Sequence, residues 1–208
     1  MLSLLDYLSD PCGTSSLPYW KQKVIAVPED MKIIHDRAYA AQAFSAYDDE
    51  SYFRLFHDLK SIGRHMTPEA DIISAPSDID AFADLINASY QDLHMTAEQL
   101  RNYGKTPAYC PELWILMREK ASGKLLTGGI ADFDSEASEL VLEWIQVLPA
   151  YRGRGYGQLI VNHLLARMQG AAQFATVSGK VRNPWNPEGL YRKCGFTGHD
   201  IWHVLTRR

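Results

Sequence analysis

Three glycines stand within five residues, Gly153, Gly155 and Gly157, in the run Val147-Leu148-Pro149-Ala150-Tyr151-Arg152-Gly153-Arg154-Gly155-Tyr156-Gly157. Glycine loses more backbone freedom on ordering than any other residue, so such a cluster belongs where the chain needs positive φ or close backbone approach. Before it, Leu140 to Leu148 reads as a strand; after it, Ile160, Val161, Leu164, Leu165 and Met168 form one stripe of a helix. A strand therefore turns into a helix through a glycine loop. Successive loop amides and the free N–H groups of a helix start suit a phosphate or pyrophosphate, and Arg152 and Arg154 add positive charge.

Spacing excludes two phosphate-binding motifs. A dinucleotide fingerprint beginning at Gly153 needs a third glycine where Gln158 stands, and an acidic residue about 20 positions on. No Asp or Glu occurs between Val161 and Arg182. The string of a nucleotide-hydrolysing P-loop, GxxxxGK followed by Ser or Thr, is absent from the chain.

The surrounding pattern gives the fold class. Residues 1–70 open with a loop-like run from Asp10 to Pro18, and Lys32 to His35 suits a short strand. Tyr52, Leu55, Phe56 and Leu59 recur at helical spacing and predict a helix docked on the remainder. From Asp71 comes a short apolar run, Ile72 and Ile73, then Ser77 with Asp80 as the caps of a helix whose inner face is Ile79, Phe82, Ala83, Ile86 and Tyr90. A second helical stretch spans Thr96 to Tyr103. Three strands follow as an antiparallel meander, Leu113 to Glu119, Lys124 to Phe133 and Leu140 to Leu148. After the glycine-led helix come a strand at Phe174 to Ser178, a short helix at Pro187 to Cys194 and a strand at Ile201 to Thr206. This order predicts an α+β fold: a mixed central sheet, built from the meander and the C-terminal strands and flanked by helices, over residues 71–208, with 1–70 as an N-terminal extension packing on that core.

Two motifs in this order resemble the GNAT N-acetyltransferases. Arg152-x-x-Gly155-x-Gly157, after a strand ending in Val147-x-Pro149, is similar to the acyl-CoA loop of that family. Leu190-Tyr191-Arg192-Lys193-Cys194-Gly195-Phe196 resembles its LYxxxGF. The resemblance implies that acetyl-CoA is the acyl donor, that amides of Arg152, Gly153, Arg154, Gly155, Tyr156 and Gly157 hold its pyrophosphate, and that Tyr191 lies near the thioester sulfur. Backbone N–H groups along Ile145, Gln146 and Val147 are the expected oxyanion donors, since a splayed strand would leave amides unpaired beside the loop, and the resemblance implies that the acyl carbonyl binds Val147. The asparagine that the family carries seven residues before this tyrosine is Pro184 here, flanked by Asn183 and Asn186. Which of the two faces CoA is left open, because Asn186 before Pro187 also reads as a helix N-cap.

Transfer of an acetyl group directly to a primary amine needs a base, oxyanion donors and an acid for the leaving thiolate. The Tyr191 phenol, with a reference pKa of about 10, is the expected acid. Glu143, which strict alternation places on one face with Val141 and Ile145, is the expected base, its alternative being a rim glutamate in an ion pair. Tyr90, Tyr103, Tyr109, Trp114, Trp185 and Trp202 supply ring faces for a cationic acceptor, a small-molecule or peptide amine, and Asp132, Asp134, Glu136 and Glu139 supply acidic ones. The extension has three roles open to it: a pocket wall, a lid or the contact of a homodimer. A second class of function, an acyl-CoA-binding sensor or interaction module without turnover, shares every feature except the need for Tyr191 and Glu143.

Composition narrows the partners. Twenty-one Lys and Arg against 25 Asp and Glu give a net charge of -4, without the basic excess that nucleic acid requires. No run reaches the roughly 18 apolar residues of a membrane span, and Met1 to Leu8 is interrupted by Asp6 with no basic leader, so a cytoplasmic location without membrane contact is expected. Cys12, Cys110 and Cys194 form no CxxC pair, and His199 and His203 are helically spaced only within a strand-like segment, so neither a disulfide nor a metal is expected.

Overall fold

The computed structural model describes residues 2–63, 78–90 and 93–208, together with the backbone of 70–74. Its elements run α1 (Leu4–Ser9), α2 (Tyr19–Val24), β1 (Met31–His35), β2 (Tyr47–His57), β3 (Ala70–Ser74), α3 (Ile79–Ser89), α4 (Ala97–Tyr103), β4 (Trp114–Glu119), β5 (Leu125–Asp134), β6 (Glu139–Val147), α5 (Tyr156–Met168), β7 (Phe174–Lys180), α6 (Pro187–Lys193) and β8 (Thr197–Arg207). The strands form one sheet in the order β1-β8-β2-β7-β6-β5-β4-β3, antiparallel at every junction except β6 with β7. This is the α+β fold with a mixed sheet that the pattern predicts.

Two cores lie on opposite faces of the sheet. Leu159, Ile160, Leu164 and Leu165 of α5 pack on Ile115, Met117, Ala131, Leu142 and Val177. Phe82, Leu85 and Ile86 of α3 and Leu100 of α4 pack on Trp114, Leu116 and Ile130. Alternate residues of β4 thus serve alternate cores, as a strand covered on both sides requires. The cap of α3 is Asp78, whose side chain accepts from Ala81 N, whereas the expected cap Ser77 lies outside the described residues. Thr96 and Gln99 close a capping box on α4.

The expected helix through Tyr52 and Leu59 is instead strand β2, which pairs with β8 on one side and β7 on the other. Phe53 and Leu55 enter the α5-side core, while Arg54 and Phe56 are covered on the opposite face. A strand buried on both faces shows no polar alternation, so its run of apolar residues meets a helical template by coincidence. Two strands from before residue 70 therefore belong to the same sheet as those after it.

Residues 2–20 are tied to this sheet through a buried polar cluster. Arg54 and Glu139 are 1% and 0% exposed and lie 3.3 Å apart. The Tyr7 hydroxyl donates to Glu139 at 2.7 and 2.8 Å, and Arg54 donates to the Tyr7 hydroxyl and to Pro11 O. Thr176 Oγ1 donates to the same carboxylate. Buried charges need such partners on every lone pair, and here α1 supplies one of them. The three cysteines are free, and no helix among the described residues is long and apolar enough to cross a membrane.

Candidate active site

Strand β6 parts from β7 half-way along its length. Their parallel pairing runs from Glu139↔Phe174 to Leu142↔Val177 and stops, while β6 continues to Val147 beside β5. The break coincides with an irregularity: Ile130 faces Trp144 but Ala131 faces Leu142, which leaves Glu143 as an extra residue in β6. Such a bulge bends the strand and interrupts its ladder. Beyond it, Leu148 N donates to Leu126 O, so the alternation of an antiparallel ladder turns the N–H groups of Ile145 and Val147 away from β5 and into the gap beside β7. The side chain of Gln146 is buried, and neither of its amide atoms has a partner among the described residues.

At the end of β6 the chain makes a short 3-10 turn, Pro149–Tyr151, and enters the glycine loop. Gly153 and Gly155 have φ of 76° and 86°, values that a Cβ disfavours, and a Cβ on either would meet nothing within 4 Å. Gly155 is the N-cap of α5 and offers no side-chain cap, so the first amides of that helix remain open to a ligand. Gly157 is small for a different reason: a Cβ there would stand 3.0 Å from Leu190 Cδ2, next to Tyr191. The charge of Arg152 is largely spent inside the protein, with Nε donating to Val147 O at 3.1 Å, Nη2 to Ser89 O at 2.9 Å, and the guanidinium 4.1 Å over the Trp185 ring. Arg152 thereby fastens the strand end, the end of α3 and the loop before α6 together. Arg154 is exposed over Tyr151, whose ring also meets Tyr156 edge-on. Asn186 caps α6 through Gly189 N, and Asn183 Oδ1 accepts from Trp185 N.

Tyr191, on α6, is 7% exposed and packs between the rings of Phe53 and Phe196. Burial, with further contributions from Tyr90, Cys194 and Glu143, raises its phenol well above the ordinary range, so it remains protonated at neutral pH. Glu143 does not share a face with Ile145 as strict alternation predicts. The bulge puts Glu143 and Trp144 toward α3 and α4, and Ile145 toward α5. Glu143 Oε1 lies 2.5 Å from Lys21 Nζ, and its Oε2 accepts from the Tyr103 hydroxyl at 3.3 Å.

The model of the acetyltransferase (GNAT) domain family matches residues 111–198, which contain the bulge, the glycine loop and Tyr191. This stretch of the chain is similar to a GNAT domain. Solved structures agree in fold. A GCN5-related N-acetyltransferase from Sphaerobacter thermophilus is 16% identical with a TM-score of 0.66, over 86% of this chain and 61% of that one. A putative GNAT-family acetyltransferase from Novosphingobium aromaticivorans is 13% identical with a TM-score of 0.57, over 88% and 70%. A GNAT-family acetyltransferase from Colwellia psychrerythraea is 17% identical with a TM-score of 0.60, over 84% and 64%. The chain thus spans about 61% of the length of the Sphaerobacter protein. No curated protein matches the chain.

Part of the site lies outside the segment that matches the GNAT domain. Lys21 comes from α2, with Nζ 5.5 Å and 5.9 Å from the Trp20 and Tyr103 ring centres. Burial works against its proton, but the charges of Glu143 and Tyr103 outweigh that and hold the ammonium above its ordinary range. Asp132, opposite Val141 on the same face, is fully buried, and neither carboxylate oxygen has a partner among the described residues. Burial first, and the charge of Glu143 second, push its carboxyl up to about 8 against the opposing pull of Lys21. Burial and Glu143 likewise push the Tyr103 phenol up to about 12. The Asp132 side chain was legible only as one of several acids near a loop, and no sequence signal ties Lys21 to this face.

The other aromatic and acidic candidates divide. Tyr90 meets Trp144 edge-on beside the site, whereas Trp114 is core and Trp202 is bound to Cys12 O at the β8 side of the sheet. Glu139 is consumed by Arg54 and Tyr7, and Glu136 pairs with Lys23 at the surface. Among the described residues no group of His, Cys, Asp and Glu is placed to hold a metal ion.

Proposed function

We propose that this GNAT-like domain transfers an acetyl group from acetyl-CoA directly to a primary amine of a small-molecule or peptide acceptor. The observation that carries this reading is the parting of β6 from β7 directly beside an uncapped helix start whose two preceding glycines, with positive φ, leave their Cβ directions open. A gap with unpaired strand amides suits an extended amide-rich chain, and the open N–H groups at Gly155 to Gly157 suit a pyrophosphate at its end. Bound there, acetyl-CoA supplies the activated acyl carbon.

The protein's own groups would then divide the work. The N–H groups of Ile145 and Val147 donate to the acyl oxygen as negative charge develops on it. Glu143 takes a proton from the acceptor amine, either directly or through water, and Tyr191 gives its proton to the departing sulfur. Burial of Tyr191 helps by holding that proton on the phenol until the sulfur needs it. Tyr90, Tyr103 and Trp144 offer ring faces to a cationic acceptor.

Isothermal titration of the full chain with acetyl-CoA tests the reading. The wild type is expected to bind, and Gly155→Val, checked for folding by circular dichroism, is expected to lose that binding. Tyr191→Phe should keep affinity for acetyl-CoA but slow a single turnover with a screened amine by roughly 10²-fold or more. Failure of the wild type to bind acetyl-CoA would overturn the assignment.

A further inference from the structure

An amine of the chain itself already stands beside the proposed base. Lys21 Nζ lies 2.5 Å from Glu143 Oε1 and 3.3 Å from the Tyr103 hydroxyl, over two rings, with 13% of its side chain exposed. Glu143 is also the bulged residue at which β6 leaves β7, so the ammonium is paired to the residue where the gap assigned to the acyl donor opens. A second observation sets this apart from an ordinary ion pair. Asp132, which the charges of Glu143 and Lys21 both reach, is fully buried, and neither of its carboxyl oxygens has a partner among the described residues. Buried carboxyl groups are normally satisfied, and a site left with one unpartnered carboxyl is built to handle protons or cations rather than to fasten a helix.

We propose that the Lys21 ammonium occupies the acceptor-amine position and that Lys21 is acetylated by its own chain. The proposal rests on the reading of acetyl-CoA as donor. Lys21 gives one proton to Glu143 and its Nζ attacks the thioester carbonyl carbon. The N–C bond forms, the C–S bond breaks, and the sulfur departs as a thiol with the proton of Tyr191. The second proton lost by Nζ restores the Tyr191 phenol. Lys21 ends as a neutral N-acetyl-lysine, CoA as a free thiol, and one proton remains on Glu143.

The full chain is incubated with acetyl-CoA, sampled over time and mapped by mass spectrometry. Lys21 is expected to acquire one acetyl group at a rate independent of protein concentration, at least about tenfold faster than Lys60, whose side chain is 84% exposed. The mark is expected to vanish in Lys21→Arg, and Glu143→Gln should slow it by roughly 10²-fold, the usual share of a general base. Spontaneous chemical acetylation follows exposure instead: Lys60 ahead of Lys21, or an undiminished Lys21 rate in urea, would overturn the proposal. Calorimetry separates the two levels. Binding of acetyl-CoA with Lys21 unmodified refutes self-acetylation and leaves the proposed function standing, whereas absence of binding removes both.

Discussion

Asp132→Asn should stabilise the protein, and by an amount that grows with pH. The native carboxyl is moved from 3.8 to about 8, chiefly by burial. A raised carboxyl contributes its full stability below the unfolded value and loses it as pH rises through the folded value, because the native state must either keep a proton the unfolded chain has shed or bury a charge. Each pH unit between 3.8 and about 8 therefore costs the native state about 1.4 kcal/mol, reaching about 5 to 6 kcal/mol once both states are ionised. The amide of asparagine has nearly the shape of the protonated acid and cannot ionise, so it escapes this cost. Urea unfolding of wild type and variant at pH 5, 7 and 9 gives the measurement, since the titration of groups remote from Asp132 cancels in the difference. The gain should grow by about 4 kcal/mol between pH 5 and pH 9. The opposing pull of Lys21 supplies an internal check: in a Lys21→Met background the gain should be larger still. A difference that stays constant from pH 5 to pH 9 would show that Asp132 ionises as an ordinary aspartate, and the account of the buried carboxylate would fail.

Other perturbations reach the remaining parts of the structure. Arg54→Met leaves Glu139 buried without its cation and should cost about 3 to 5 kcal/mol in urea unfolding, because removing one partner of a buried pair strands the other. Gly155→Ala forces a Cβ onto φ 86° with open space around it, so the cost should be only about 1 to 2 kcal/mol and purely conformational. Gly157→Val drives side-chain atoms into Leu190 and should lower stability by about 1 to 3 kcal/mol while displacing the helix that carries Tyr191, read as a lower rate in a single turnover. A chain starting at residue 71 lacks β2, whose neighbours β7 and β8 would be left as exposed edges, and it should show no cooperative unfolding transition; a sharp transition in that fragment would refute an integral role for the extension.

The legible parts of this protein were those set by local rules. The helix from Tyr156 to Met168, the meander from Trp114 to Val147 and the Asn186 cap follow from apolar periodicity, turn residues and a Pro at the first helical position, none of which needs knowledge of distant contacts. The glycine loop was legible because positive φ leaves a compositional trace, which Gly153 and Gly155 show at 76° and 86°. Strand β2 is hidden in the sequence because both its faces are covered by elements far away in the chain, and the helical spacing of Tyr52, Leu55, Phe56 and Leu59 carries no record of that. Glu143 could be named but not oriented: the bulge that turns it away from Ile145 is a property of how β5 and β6 pair, one residue out of step, and the string Leu-Glu-Trp-Ile reads the same with or without it.

The same reasoning explains why the N-terminal segment that carries Tyr7 and Lys21 reaches the candidate site as well as the sheet. A carboxylate on β6 that faces α3 and α4 needs a cover on that face, and Lys21 provides one from α2 while Tyr7 and Arg54 hold the segment down through Glu139. Glu139 and Glu143 lie on one strand, so the anchor of the N-terminal segment and its reach into the site share a rigid support. Loosening the anchor should therefore disturb Lys21 before it disturbs the loop at Gly153 to Gly157, which is fastened independently by Arg152 to Val147 and Ser89. In Tyr7→Phe, which keeps the ring and removes the hydroxyl given to Glu139, affinity for acetyl-CoA should hold while acetylation of Lys21 changes; equal losses in both would mean that the two halves of the site are not separately supported.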